Sequence, residues 1–309
     1  MINEVDSIFQ QPWWLDAVAP NQWEEIIVKR EGAIAARMPY VIKKRYGLTA
    51  ISMPPLTPTL GPWLRPSKAK SYKKISEQKE FMNELMAQLP KVDYFCQSFS
   101  PNINNWLPFY WAGFQQTTRY TYRIESLSDC EQIWADMSPT TRNSIRKAEK
   151  QVIIRNDLGI DKLFEIISLT FTRQKMKVPY GNDFVKKLDN ACAAQNARKM
   201  FFAEDGRGRI HAIGYIVWDS NTSYLLLGGG DPELRNSQAY SLLVWNAIKF
   251  SSTVAKVFDF EGSIIEPIEH FCRSFGAIQT PYFVISKMFT RRMNIAYHGR
   301  EIIRAIANI

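Results

Sequence analysis

Between residues 209 and 287 the chain dictates a fixed succession of elements, and that succession narrows the possible folds more than any other stretch. Arg209-Ile-His-Ala-Ile-Gly-Tyr-Ile-Val-Trp218 is an apolar run of strand formers, Asp219-Ser-Asn221 a polar break, and Ser223-Tyr-Leu-Leu-Leu-Gly-Gly-Gly230 a second run. Two such runs around a short break predict an antiparallel hairpin. The second run leaves through Asp231-Pro232 and Arg235-Asn-Ser-Gln238 into a helical pattern, Ala239 to Ser252. A strand, Lys256 to Phe260, then meets Glu261-Gly-Ser263, and a helix from Glu266 to Phe275 stops at Gly276 before the strand Thr280 to Lys287.

A glycine-rich strand end that feeds a helix has two readings. Glycines let a ligand approach the backbone, and free N–H groups at the helix start attract phosphate. Alternatively, Gly228 to Gly230 simply bend the strand. The order hairpin, glycine exit, helix, acidic strand, helix, strand resembles the acyl-CoA N-acyltransferase (GNAT) fold. More narrowly it resembles the FemAB-like acyltransferases, which place two such domains in tandem. Arg142-Asn-Ser-Ile-Arg-Lys-Ala-Glu-Lys150 is the most specific local match, similar to the Arg-x-x-Ile-Arg-x-Ala-Glu-Lys helix that opens the second domain of those proteins.

Earlier in the chain, Pro12 near the first turn predicts a short helix over Ile8 to Ala19. Strands follow at Trp23 to Arg30, Ala33 to Lys43 and Thr49 to Met53, then a rigid loop, Pro54 to Trp63, that either lines a cleft or connects elements. The basic run Lys68 to Lys74 enters a long helix. Lys91-Val-Asp-Tyr-Phe95 leads through a helix to Phe109-Tyr-Trp-Ala-Gly-Phe114 and a strand. Lys256-Val-Phe-Asp-Phe260 leads likewise to Phe271-Cys-Arg-Ser-Phe-Gly-Ala277 and a strand. A repeat at about 160 residues suggests internal duplication. The expectation is an α/β (α+β) chain of two GNAT-like domains with mixed sheets flanked by helices. Residues 1–126 would be a degenerate copy, and 127–309 the copy with the donor site. Ser128-Asp-Cys-Glu131 reads as a capping box, and 295–309 as an amphipathic helix.

Composition excludes several chemistries. Cys96, Cys130, Cys192 and Cys272 are far apart with no CxxC pair, and His211, His270 and His298 have no neighbour at ligand spacing. Structural zinc, a disulfide framework and triad catalysis therefore have no support, and the metal expectation is none. No apolar run reaches the ~20 residues of a membrane span and no signal-peptide pattern opens the chain, so a cytoplasmic location is expected. A formal charge of +9 calls for anionic partners.

Acyl transfer to an amine requires a held donor, a polarised carbonyl, a base and a proton for the leaving group. On the resemblance, the donor is held at the helix entry by Arg235, Asn236, Ser237, Gln238 and Ala239. Ser237 and Ala239 stand where many GNAT loops carry glycine, as in many FemAB-like chains. The backbone of Leu227, Gly228 and Gly229 polarises the carbonyl. Asp259 and Glu261 alternate with Phe258 and Phe260, so both face one side of a strand, as base or as structural carboxylates. Tyr240 is either proton donor or packing residue, and Arg142, Arg146 and Ser263 are candidates for the substrate.

Acyl-CoA or aminoacyl-tRNA is the expected co-substrate, with no permanently bound cofactor and no DNA. The absence of a long heptad arm favours the thioester. The acceptor is an amine, on a cell-wall or polysaccharide precursor. From another class, the alternative is a non-catalytic protein that binds nucleic acid or an anionic surface through Lys68 to Lys74 and Arg142 to Lys150.

Overall fold

The alternating and helical patterns of the sequence become twelve strands and nine α-helices in a computed structural model, which describes residues 5–173, 175–262 and 264–294. The chain divides into two units. One takes residues up to Arg119 and resumes at Tyr282; the other runs from Tyr120 to Pro281. Ser263, His298 and the helix expected over 295–309 lie outside the described residues.

In the first unit, α1 (Pro12–Val18) starts on its proline, and β1 (Trp23–Arg30) and β2 (Ala33–Arg45) form a hairpin. β3 (Leu48–Ile51), β4 (Trp63–Leu64), α2 (Ser71–Ala87), β5 (Tyr94–Ser98) and α3 (Leu107–Trp111) follow. The sheet order is β1-β2-β3-β5 and then β12 (Ile278–Met288), with β4 on β2. Only β3 and β5 run parallel among these pairs. The proline-rich loop packs as a connector: Trp14 Nε1 donates to Thr57 Oγ1 (3.0 Å), and Gln10 Nε2 to the Gly61 carbonyl (3.0 Å). Phe81, Met82, Leu85, Phe95, Phe99, Phe109 and Ile285 fill the core.

The second unit carries the candidate site. After β6 (Gln115–Ile124) come α4 (Cys130–Asp136), α5 (Pro139–Glu149), β7 (Val152–Arg155), α6 (Ile160–Arg173) and α7 (Asn182–Ala194). β8 (Arg198–Asp205), the hairpin β9 (Ile210–Trp218) and β10 (Thr222–Gly230), α8 (Ala239–Ser251), β11 (Val257–Asp259) and α9 (Glu266–Arg273) complete it. Its strand order is β6-β11-β10-β9-β8-β7, with β10 and β11 the parallel pair. Helix α8 is apolar over most of its surface, as befits a helix buried between the sheet and α5, with Lys249 exposed.

Three expectations need correction. The segment from Tyr282 groups with the first unit, where Val284–Met288 of β12 pair with Tyr94–Ser98 of β5, instead of ending the second. Helix α4 is capped by Asp129 and not Ser128: its Oδ1 accepts from the amides of Glu131 (2.9 Å) and Gln132 (3.0 Å). The acidic strand stops at Asp259: the Phe260 amide still reaches the Tyr122 carbonyl (2.9 Å) in register with β6, and Glu261 then leaves the extended backbone with a left-handed φ of 58°.

Candidate active site

The site grows from a strand that loses its neighbour. β10 is paired with β9 along its whole length, with a bulge where Leu225 opposes Ile216 and Leu227 opposes Tyr215. On its other edge, β10 pairs with β11 only from Thr222 to Tyr224. From Leu225 to Gly230 no strand covers that edge among the described residues. Thr170 Oγ1 occupies the Gly230 amide and carbonyl (3.2 Å each), so the backbone open to a bound molecule is that of Leu225 to Gly229, which makes this part of the edge an oxyanion-binding candidate.

The glycines do something the sequence did not reveal. Gly228 lies opposite Gly214, and α8 crosses the pair with two side chains one turn apart. A Cβ at Gly214 would meet Leu243 Cδ2 at 2.5 Å, and one at Gly228 would meet the Tyr240 hydroxyl at 2.0 Å. A Cβ on Gly229 would meet Thr170 Oγ1 at 2.6 Å, and on Gly230 the His211 carbonyl at 2.7 Å. The protein itself therefore fills the faces of these glycines. What the strand leaves open is its edge.

Tyr240 consequently places its hydroxyl on Gly228, with its ring 5.2 Å from that of Phe271. Burial pushes its pKa up, so it holds its proton.

The helix entry is built around a buried serine. Arg235–Ser237 form a 3-10 turn and Gln238 follows at φ 62°, capping α8 through its backbone. Ser237 is buried: its Oγ donates to the Leu234 carbonyl (2.8 Å), lies 2.9 Å from His211 Nδ1 and accepts from the Ala239 amide (3.3 Å). His211 Nε2 is 3.1 Å from Asp205 Oδ2. The Arg209 amide and His211 hold Asp205 well below the usual carboxylate range. In this serine–histidine–aspartate row Ser237 and His211 are buried and Asp205 is half-buried, and the row clamps the loop. Ser237 and Ala239 therefore shape the entry from below, while Arg235, Asn236 and Gln238 are exposed on it. His211 and Asp205 escaped the sequence reading because the partner serine stands 26 residues further on.

Across the opening stands the acidic turn. Asp259 is buried, and its Oδ1 accepts from Thr121 Oγ1 and from the Glu261 amide (2.8 Å). Arg123 Nε is 3.7 Å from Asp259 Oδ2. Asp259 thus holds the turn that presents Glu261. The Glu261 carboxylate has no hydrogen-bond or ion-pair partner among the described residues, and burial, then the nearby Asp259, raises its pKa well above the carboxylate range. Burial also raises Asp259, against the Thr121 bond. Gly262 packs on β6: a Cβ there would lie 2.3 Å from the Tyr120 carbonyl oxygen.

The arginines of the α5 motif contact α4 and the residues that end it. Arg142 Nη1 donates to the carbonyls of Trp134 (3.2 Å), Ala135 (2.7 Å) and Met137 (2.8 Å), closing the end of α4. Arg146 lies 5.5 Å from the Trp134 ring, while Ile145 and Ala148 enter the core. Arg142, Ile145 and Ala148 of that motif thus make structural contacts.

Residues 136–262 match the family model of the acetyltransferase (GNAT) domain. No curated protein matches the chain by sequence. Among solved structures, FemX superposes with a TM-score of 0.67 at 12% identity, covering 89% of this chain and 91% of that one. The C-terminal domain of a putative lysylphosphatidylglycerol synthetase from Agrobacterium fabrum gives a TM-score of 0.57 at 11% identity, covering 95% and 93%. A tandem GNAT protein from the clavulanic acid biosynthesis pathway gives a TM-score of 0.51 at 8% identity, covering 88% and 85%. The domain match and the fold together define the class: residues 136–262 form a GNAT acetyltransferase domain, in a chain whose fold is similar to that of FemX and of the tandem GNAT protein. No described helix is long and apolar enough to cross a membrane.

Proposed function

We propose that this protein moves an acyl or aminoacyl group from an acyl-CoA thioester to an amine, with Glu261 as base and Tyr240 as acid. Aminoacyl-tRNA is the second donor to test. The observation that carries the reading is the uncovered edge of β10 past Tyr224, beside the entry of α8. In this scheme the donor phosphates rest on Arg235, Asn236 and Gln238, and the backbone of Leu227, Gly228 and Gly229 receives the carbonyl oxygen. Glu261 takes a proton from the attacking amine nitrogen as the new C–N bond forms. The C–S bond then breaks and Tyr240 protonates the departing thiolate. Arg146 and Ser263 are kept as contacts for the acceptor, a cell-wall or polysaccharide precursor handled in the cytoplasm.

The test is a thermal-shift and calorimetric titration with coenzyme A, beside a salt titration of RNA binding. Coenzyme A is expected to bind, and Arg235→Ala to weaken it roughly tenfold by removing a charge-assisted contact. Absence of any coenzyme A binding, with tight salt-sensitive RNA binding instead, overturns the thioester donor.

A further inference from the structure

We propose that a cavity of about 280 Å³ lined by β6, α4 and Phe275–Ile278 binds a small zwitterion, with a basic α-amino acid its best ligand. Arg123 is its buried charge, at 8% exposure. The guanidinium makes no hydrogen bond among the described residues. Its Nε is buried without a partner, and the nearest carboxylates, Glu125 Oε1 at 3.6 Å and Asp259 Oδ2 at 3.7 Å, are beyond hydrogen-bond reach. A guanidinium with a buried, unsatisfied Nε and only long ion pairs to its neighbours is matched by one kind of group, a carboxylate that takes two N–H donors at once.

The rest of the lining has the opposite sign. Glu125, Asp129 and Asp136 are exposed at the cavity, and two of them are held in place. Asp129 Oδ1 is fixed by the amides of α4, and Asp136 Oδ1 by Gln132 Nε2 at 2.8 Å. Three carboxylates against one arginine leave two surplus negative charges. The cavity therefore favours a ligand that brings one carboxylate inward and two ammonium groups outward, with its aliphatic stem against Ile133 and Ile278. The size agrees: it falls at the low end of the ~300–1,000 Å³ of ligand pockets, suited to one amino acid and too small for a coenzyme.

Asp259 ties this site to the transfer centre, since it faces the same guanidinium and holds the Glu261 amide. Taking the ligand for the charged end of the acceptor rests on the transferase reading. Binding itself does not.

Calorimetry on the full chain with L-lysine, L-alanine, cadaverine and hexanoate decides it. L-Lysine is expected to bind saturably, with cadaverine and hexanoate at least about tenfold weaker because cadaverine lacks the carboxylate and hexanoate both ammonium groups. Arg123→Lys should abolish the preference over cadaverine. Glu125→Gln and Asp136→Asn, both exposed and compatible with folding, should each weaken L-lysine about threefold or more. The site is overturned if L-lysine fails to bind protein that binds coenzyme A, if cadaverine binds equally well, or if both exposed variants bind L-lysine unchanged. L-Lysine binding without coenzyme A binding instead leaves the site standing and removes the donor assignment.

Discussion

In the proposed transfer, Glu261 concentrates the chemistry in one residue. Its carboxylate is half-buried beside Asp259, and desolvation, then the Asp259 charge, raises its pKa, the direction that suits a general base. Glu261→Gln should lower kcat by about 10²–10⁴-fold, leave the donor KM nearly unchanged, and remove the acid limb of the pH–rate profile. A stability measurement checks the same assignment with the sign fixed. A carboxylate raised in the folded state stabilises it below the unfolded value of about 4.3, and that contribution is lost as pH rises through the folded pKa. The variant should therefore gain on the wild type as pH climbs above about 4.3 in urea titrations, whereas a flat difference would mean that Glu261 is not perturbed. The sequence placed Asp259 and Glu261 together by strand alternation. They are together because Asp259 accepts the Glu261 amide in a turn beyond the strand. The need for Gly262 comes from the backbone of β6, some 140 residues away, and no local pattern carries that.

Helices explain what the glycines and arginines of the motifs are for. Gly228→Ala should cost about 1–3 kcal/mol by overpacking against Tyr240, measured by urea unfolding. Combining it with Tyr240→Ala should recover part of that loss, because the second change removes the colliding hydroxyl. Additive losses would place the strain elsewhere. Arg142→Met should destabilise by about 1–2 kcal/mol, as the three carbonyls ending α4 lose a charged donor, with kcat unchanged. A fall in kcat at full stability would return Arg142 to the substrate. The hairpin, the glycine exit and α8 were legible because each follows from local periodicity and turn chemistry: β9 and β10 end at Trp218 and Gly230, where the sequence puts them. The jobs of Arg142 and Gly228 were illegible, since each is defined by a neighbour on another element.

At the scale of the whole chain, contiguity in sequence misled where pairing decides. β12 follows α9 directly, so it reads as the last strand of the second domain. Its residues from Val284 to Met288 instead pair with Tyr94–Ser98, and Ile285 is fully buried among Phe95, Phe99 and Phe109 in the first unit's core. A strand supplied from the far end of the chain makes the first unit depend on residues that come after the second. Ile285→Ala should therefore cost about 2–5 kcal/mol as a buried aliphatic truncation. The loss should fall on the first unit: in native-state hydrogen exchange the amides of β2 and β5 should lose protection, while those of β8 and β9 in the second unit keep theirs. Equal loss of protection in both units would show that they unfold as one, and a loss confined to β8–β10 would show that β12 serves the second unit after all.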